Sequence, residues 1–508
     1  MKVSQLKAGA ALSYISMGIG YIIAIIYTPI MLRLLGQSEY GLYNLVASVV
    51  AYLGILNFGF GSAYMRYYSR YKVQEEKEKI AILNGMFLTI FSIIGFIAVI
   101  AGTILALNTE FVFGSELSHA ELSRAKILTM ILVGNLAISF PNIVFVSHIT
   151  ANEKFVFQKI VEVIRTMINP FVVLPVLLMG YGSVGLVVST TILNIAVEIA
   201  YVTFCIKKLK MKFSFRKFDF KLMKDMTIFS LYIFINLVVD QVNWNIDKFI
   251  LGRFHGTISV AVYGLAAQLN TYYISISIII SRIFIPRVHR LVASSNDNHV
   301  LTELFTRIGR VQFIILSLIS TGLIFFGRPF INMWAGNNYN DSYPIALLLI
   351  ITGTISSIQN IGIEIQRAKN MHKFRSFIYF IIALGNLGIT FPLAKMYGGF
   401  GAALGTAMAI VIGNGFIMNW YYHVKVGLDM KFFWKQIFSF VPSLILPILA
   451  GVFISSLFDL NYLFNFLGFG MIYVIIFCIS MWFIGMNQYE KELIGRPIRR
   501  VVERITRK

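Results

Sequence analysis

Charged side chains are scarce in this chain. They make up 13% of its 508 residues, whereas hydrophobic residues make up 57%. A soluble domain carries about 25% charged residues. The composition therefore excludes a soluble globular protein and predicts an all-α polytopic membrane protein, because long apolar runs cross a bilayer as helices.

Cysteines and catalytic motifs are also few. The two cysteines, Cys205 and Cys478, lie within apolar runs, which leaves neither a disulfide framework nor a cysteine metal cluster. The sequence contains no Gly-x-x-x-x-Gly-Lys-Ser/Thr phosphate loop and no His-Glu-x-x-His metal motif. Its loops are too short for a catalytic extramembrane domain. We therefore predict a transporter rather than an enzyme, with no catalytic residue, bound metal or resident cofactor.

The apolar runs and the basic residues predict the membrane topology. Fourteen runs are long enough to cross about 30 Å of hydrocarbon. About 36 of the 44 Lys and Arg residues lie in the loops on one side, and the positive-inside rule places that side, with both termini, in the cytoplasm. We expect a multi-pass protein of a bacterial inner membrane. The net charge of +21 then reflects topology and contact with anionic lipids, not nucleic acid.

Two pairs of similar segments indicate an internal duplication. The segment 30–47 aligns without gaps with 250–267, and 181–185 aligns with 397–401 at nearly the same offset. We predict two parallel six-helix repeats and a terminal helix pair. The predicted domains are an N-lobe of helices 1–6 at 1–210, a basic cytoplasmic loop at 211–224, a C-lobe of helices 7–12 at 225–425, helices 13–14 at 426–487, and a basic cytoplasmic tail at 488–508.

A polar stripe interrupts the seventh apolar run. Asn236, Asp240, Asn243 and Asp247 are spaced by four, three and four residues, which places them on one face of a helix. An aspartate near the bilayer centre costs about 2.5–3.5 kcal/mol. The stripe should therefore face a water-filled cavity, or hold neighbouring helices together through hydrogen bonds.

Four arginines are candidates for binding an anionic substrate. Arg66 ends the second apolar run beside Gly59 and Gly61, and Arg282 lies near the equivalent end of the eighth. An arginine holds phosphate oxygens in a bidentate manner; the alternative is an interfacial residue that reaches the headgroups. Arg33 and Arg253, at equivalent positions of the duplication, are further substrate-binding candidates.

Single carboxylates within the spans are candidate ion sites. Glu198 and Glu364 would each bind a coupling ion or proton, or else satisfy a contact between helices. Arg165 lies three residues after Glu162, and this spacing predicts a local ion pair.

Two motifs of this sequence resemble those of a known family. The first reads Arg33-Leu-Leu-Gly36-Gln-Ser-Glu39-Tyr40-Gly41-Leu-Tyr43 with Asn57-Phe-Gly59-Phe-Gly61-Ser…Arg66. The second reads Asp247-Lys248-Phe-Ile-Leu-Gly252…Gly256…Tyr263. They are similar to the amino-terminal signature and the helix-7/8 motif of the Wzx-type polysaccharide flippases, a family within the multidrug/oligosaccharidyl-lipid/polysaccharide exporter superfamily.

The resemblance implies a fold and a function. The fold is a V-shaped pair of six-helix lobes around a central, often cationic, cavity. The function is movement of a polyprenyl-pyrophosphate-linked oligosaccharide from the inner to the outer leaflet, by alternating access, for cell-surface polysaccharide biosynthesis. Membrane lipids, a polysaccharide polymerase and chain-length machinery are the implied partners. Asn57 stands where the family commonly has an aspartate, and the acidic stripe departs from a purely cationic cavity.

The implied roles fall on the candidates already named. Arg66 and Arg282 would meet the pyrophosphate, and Asn236 and Asn243 would bind sugar hydroxyls. A carboxylate of the stripe, Asp240 or Asp247, would bind a driving H⁺ or Na⁺, or pair with an arginine in one state.

Several alternatives stay open at this point. A multidrug or cation exporter of the same superfamily would have a cavity dominated by acidic residues. A lipid II flippase would share the fold. A membrane polymerase or transferase and a non-transporting scaffold of a polysaccharide assembly complex are the remaining alternatives.

Overall fold

Long apolar helices dominate the molecule. The computed structural model describes the backbone of residues 5–215, 218–294, 297–493 and 495, and these contain helices but no strand. Most of the predicted basic tail, 488–508, lies outside the described residues. The α-helices are α1 (Gln5–Leu53), α2 (Phe60–Val73), α3 (Lys77–Leu107), α4 (Thr109–Phe113), α5 (His119–Ala151), α6 (Phe155–Leu178), α7 (Gly182–Lys207), α8 (Phe220–Ser294), α9 (Asn298–Trp334), α10 (Ser342–Ser357), α11 (Ile361–Ala368), α12 (His372–Ile410), α13 (Met418–Tyr421), α14 (Met430–Phe438), α15 (Val441–Leu457) and α16 (Leu463–Ser480).

Three of these helices break at a glycine. The backbone leaves the helical region at Gly36 in α1 (φ 74°, ψ 169°), at Gly256 in α8 (φ 73°, ψ −174°) and at Gly398 in α12 (φ 58°, ψ −139°). Positive φ is costly for a residue with a Cβ atom but not for glycine. Each element is therefore two helices joined at a glycine. Gly36 and Gly256, which the duplication aligns, have nearly the same conformation.

The apolar helices fit the thickness of a bilayer. Within the described ranges, 10 segments are long and apolar enough to cross a membrane, or 11 if one bent pair is a single crossing. Two of them, Leu12–Val73 and Phe374–Val426, have 62 and 53 residues. A straight crossing needs only about 20 residues, so these two segments are far longer than a single span. The all-α membrane class predicted from composition is confirmed.

The chain divides into two compact units. Unit 1 comprises Met1–Gly264 and Phe391–Ala402, and unit 2 comprises Leu265–Thr390 and Ala403–Lys508. The core of unit 1 is aromatic and joins α2, α3, α5 and α7; among its buried members are Tyr64, Phe87, Phe91, Phe140 and Tyr201. The core of unit 2 is built around α9, with Phe305, Ile308, Tyr422 and Phe433 buried together.

A buried ion pair fastens the last helices of unit 2 to α9. Arg310 is 4% exposed and Glu490 is 2% exposed. The guanidinium donates from Nε to Oε1 of Glu490 at 2.5 Å and from Nη2 to Oε2 at 3.0 Å. It also donates to the carbonyl oxygens of Gln436 (2.7 Å) and Gly485 (3.0 Å) and stacks on the Phe440 ring at 4.2 Å. This arginine therefore ties α9 to α14, α15 and the segment after α16.

Candidate functional site

The part of α8 on both sides of the break at Gly256 lies against the second half of α1 within unit 1. A Cβ atom added to Gly41 would lie 1.8 Å from the Thr257 carbonyl oxygen, and one added to Gly252 would lie 2.3 Å from Cδ1 of Leu45. Farther along, Phe58 stacks on Phe234 with ring centroids 5.0 Å apart. Only glycine allows backbones to approach this closely. The polar stripe of α8 is thus held against the amino-terminal helices.

The four stripe residues lie in different environments. Asp247 is 2% exposed and accepts a short hydrogen bond from the Tyr263 hydroxyl, across the break at Gly256. Asn236 and Asn243 are half-buried, and Asp240 is exposed. Within one stripe, Asp247 is thus buried and joins the two halves of α8, whereas the Asp240 side chain is exposed.

Asp247 also lies close to a second tyrosine. The carboxylate interacts electrostatically with Tyr52 of α1. The Tyr52 hydroxyl is buried and has no hydrogen-bond partner within the part of the chain that the structure describes. Tyr52 therefore lies near the buried carboxylate without a hydrogen bond to a described residue, whereas the hydrogen bond from Tyr263 joins Asp247 to the second half of α8.

A hydrogen-bond cluster closes unit 1 at the end near Gly36 and Gly256. Oε1 of Glu121 accepts from Ser38 and from Thr257, each at 2.7 Å. Its Oε2 accepts from the Ser118 amide at 2.9 Å, so Glu121 completes a capping box at the start of α5. One carboxylate thus joins α1, α5 and α8. Sequence reasoning missed this residue, although the Ser118-x-x-Glu121 spacing is a recognisable capping signal.

Arg253 takes part in the same closed end. Its Nη1 donates to the carbonyl oxygens of Phe111 (2.6 Å) and Val112 (2.9 Å) in α4. Nearby, Glu39 pairs with Arg124 and accepts from the Ser183 amide at 2.9 Å. The guanidinium of Arg253 therefore binds backbone carbonyl oxygens in this conformation. Arg33, its counterpart in the duplication, is exposed.

Arg66 and Arg282, like Arg33, expose their side chains within long apolar segments. Arg66 lies on α2 in unit 1, and Arg282 lies on the second half of α8 in unit 2. Arg66 follows a sharp turn in which Phe58 and Gly59 both have positive φ. The turn ends the preceding helix and starts α2, which places Arg66 on the second turn of a new helix.

A second polar cluster lies between α1, α6 and α7. Arg165 interacts electrostatically with Glu198 and with Tyr43, and Tyr27 is hydrogen-bonded to Asn169. Glu198 is half-buried, and its Oε2 is buried without a hydrogen-bond partner among the residues described. Glu198 thus combines partial burial, a nearby cation and a buried oxygen that has no hydrogen-bond partner among the described residues.

Two other carboxylates have local ion pairs. Glu162 forms an ion pair with Lys159 at 2.6 Å. The predicted ion pair of Glu162 with Arg165 is wrong, and Arg165 interacts electrostatically with Glu198. Glu364 pairs with Arg367 at 2.6 Å. This pair lies within α11, so Glu364 has a local partner rather than the predicted contact between helices. In the described ranges, no three His, Cys, Asp or Glu side chains group as metal ligands.

Two comparisons of the sequence find polysaccharide proteins. The polysaccharide biosynthesis protein family matches residues 6–292, more than half of the chain. A Shigella flexneri protein named as an O-antigen transporter is 22% identical over 413 residues, which cover 79% of this chain and 94% of that protein. The teichuronic acid biosynthesis protein TuaB of Bacillus subtilis (strain 168) is 26% identical over 144 residues, which cover 28% of this chain and 29% of TuaB.

Comparison of structures places the fold among membrane transporters. The lipid II flippase MurJ, in an inward closed conformation, has a TM-score of 0.71 at 17% identity and covers 96% of this chain and 99% of its own. An inward-facing multidrug transporter of the MATE family has a TM-score of 0.65 at 13% identity, over 84% of this chain and 99% of its own. Identities this low show the fold alone. The family match, which covers more than half of the chain, shows that this chain belongs to the polysaccharide biosynthesis protein family.

Proposed function

We propose that this chain is a flippase for a polyprenyl-pyrophosphate-linked oligosaccharide, which it moves from the inner to the outer leaflet for cell-surface polysaccharide biosynthesis. The observation that carries the proposal is the position of the exposed residue Arg66 within an apolar membrane segment of a polysaccharide-family protein. Moving a pyrophosphate out of water carries a large desolvation cost, which hydrogen bonds from a cation such as arginine offset. The name of the Shigella relative, an O-antigen transporter, supports the same class of substrate.

The topology of the proposal is fourteen crossings with both termini in the cytoplasm. If the segments broken at Gly36, Gly256 and Gly398 each make two crossings, the 11 apolar segments become fourteen. The equal conformations of Gly36 and Gly256 support two parallel six-helix repeats followed by a terminal pair. In this topology the cluster around Glu121 lies at the outer face of the membrane. The conformation in which this cluster is closed is the one that would accept substrate from the inner face.

In this proposal the candidate residues have different binding roles. Arg66 and Arg282 meet the pyrophosphate, while Asn236 and Asn243 donate and accept hydrogen bonds with sugar hydroxyls. Asp240, the exposed member of the stripe, pairs with a cation in one state. Polysaccharide polymerase and chain-length proteins are the proposed partners that consume the flipped substrate.

The test of the function is made in cells. A strain that lacks the chain should lose its surface polysaccharide and accumulate lipid-linked oligosaccharide in the membrane, and a plasmid copy should reverse both changes. The exporter alternative makes the opposite prediction: normal surface polysaccharide and increased sensitivity to cationic dyes. Either a normal polysaccharide level or no accumulated precursor in that strain would exclude the flippase function.

We further propose that Glu198 carries the coupling ion, an H⁺ or Na⁺. Its unused buried oxygen and its neighbour Arg165 suit a carboxylate that gains and loses a cation. Glu198→Gln should make flipping in proteoliposomes insensitive to an imposed H⁺ or Na⁺ gradient. Glu364→Gln is the matched control, because Glu364 is already paired with Arg367. A Glu198→Gln protein that responds to gradients as the wild type does would remove Glu198 from coupling.

A further inference from the structure

A polar cavity lies in unit 2, next to the carboxyl end of α11. Its volume is about 480 Å³. It forms between the last turns of α8, the start of α9, the end of α11 with the residues that follow it, and the segment before α14. The lining residues are Val292, Asn298, Ala368, Lys369, Met371, Lys425 and Val426.

The cavity presents cations and hydrogen-bond donors but no lining carboxylate. Lys369 is fixed in place, since its Nζ donates to Oδ1 of Asn298 at 2.5 Å and to the Val426 carbonyl at 2.8 Å. These bonds leave a third N–H. Lys425 is exposed and makes no hydrogen bond or ion pair to any described residue. Two lysines therefore line the cavity, and no Asp or Glu is among its described lining residues.

The loop geometry keeps this arrangement in place. Gly427 has φ +81°, and a Cβ atom there would lie 2.2 Å from Nδ2 of Asn298. The loop can therefore close onto Asn298 only with glycine at this position. Asn298 also begins the 37-residue helix α9, whose amino-terminal dipole favours a negative charge.

Three charged side chains near the cavity, Asp297, Asp429 and Arg367, already have hydrogen-bond or ion-pair partners. The Asp297 carboxylate accepts from the His299 amide at 2.8 Å, and Asp429 accepts from the amides of Lys431 and Phe432. Arg367 is paired with Glu364. Burial lowers the pKa of Lys369, which lies between two membrane segments, and a bound anion would offset that cost. Among the described lining residues, Lys369 and Lys425 are thus the positive charges that a ligand would meet.

The depth of the cavity indicates what the ligand is. One membrane segment begins at Asn298, another ends at Ala368 and a third ends at Val426. The cavity therefore lies where helices leave the hydrocarbon, at the level of lipid headgroups. We propose that this cavity binds a phosphate group, supplied by an anionic phospholipid headgroup or by free phosphate. This site goes beyond the proposed function, because it needs no translocation.

The experiment measures protection of the two lysines from acetylation. The full chain is placed in nanodiscs of phosphatidylcholine, and the acetylation rate of each lysine is followed by mass spectrometry. One arm adds inorganic phosphate at ionic strength held constant with chloride. The other replaces part of the lipid with phosphatidylglycerol. Lys431 and Lys435, exposed on the adjacent α14 and outside the cavity, are the internal controls.

The expected result is at least about threefold slower acetylation of Lys425 in one arm, with the control lysines unchanged. Protection by phosphate alone identifies a free-phosphate site, and protection by phosphatidylglycerol identifies a lipid site. Lys369→Gln should abolish the protection of Lys425, since it removes one of the two cations. No protection in either arm, or equal slowing at Lys431 and Lys435, would overturn the proposal.

Discussion

Arg66→Ala should slow oligosaccharide flipping by about 10- to 100-fold, because a lost charge-assisted hydrogen bond costs about 1.5–3 kcal/mol and each 1.4 kcal/mol is tenfold. Arg66→Lys should retain part of the rate, since it keeps the charge but not the planar, bidentate fork. The initial rate in proteoliposomes is the measurement, normalised to the amount of inserted protein.

The control for Arg66 lies one helical turn farther along α2. Arg70 is also exposed and basic, so Arg70→Ala removes the same charge without touching the proposed pyrophosphate contact. We expect it to flip at close to the wild-type rate. Equal rates for Arg66→Ala and wild type, or an equal loss with Arg70→Ala, would contradict a specific role for Arg66.

Arg310→Ala should lower the free energy of unfolding by about 3–5 kcal/mol, because it leaves the Glu490 carboxylate buried without its cation. The loss should appear as a large drop in the thermal unfolding midpoint in detergent. Replacing both members with apolar residues, as in Arg310→Met with Glu490→Leu, should recover most of the loss, since no buried charge then remains.

Arg307 provides the comparison for Arg310. It lies one turn earlier on the same helix and pairs with Glu303 at 3.1 Å, but both side chains are 44% exposed. Exposed pairs contribute about 0–1 kcal/mol, so Arg307→Ala should unfold near the wild-type temperature. A similar small effect for Arg310→Ala would show that the buried pair does not fasten the last helices.

The sequence predicts the class, the family and several turns of this protein. Composition and the lengths of the apolar runs are sufficient to predict the all-α membrane class, because a chain that crosses hydrocarbon has few alternatives to the helix. The aligned glycines Gly36 and Gly256 indicate equivalent positions, and the structure gives them the same left-handed break. Local spacing also places the stripe residues on one helix.

Tertiary packing decides what local spacing leaves open. Asp240 and Asp247 belong to one stripe, yet Asp247 is buried against Tyr263 because the chain reverses at Gly256. Arg310 and Glu490 are 180 residues apart, and Glu121 and Thr257 are 136 apart. No periodic pattern in the sequence predicts contacts between residues so far apart in the chain. They follow only from the packing of distant helices.

The most direct test of the account is flipping by the purified wild-type chain. Proteoliposomes are loaded with a polyprenyl-pyrophosphate-linked oligosaccharide in both leaflets, and an impermeant reagent then destroys the headgroups it reaches. The account predicts that nearly the whole pool becomes accessible, against only the outer-leaflet half in liposomes without protein. If the inner half stays protected with several glycans and ion gradients, the flippase function is contradicted.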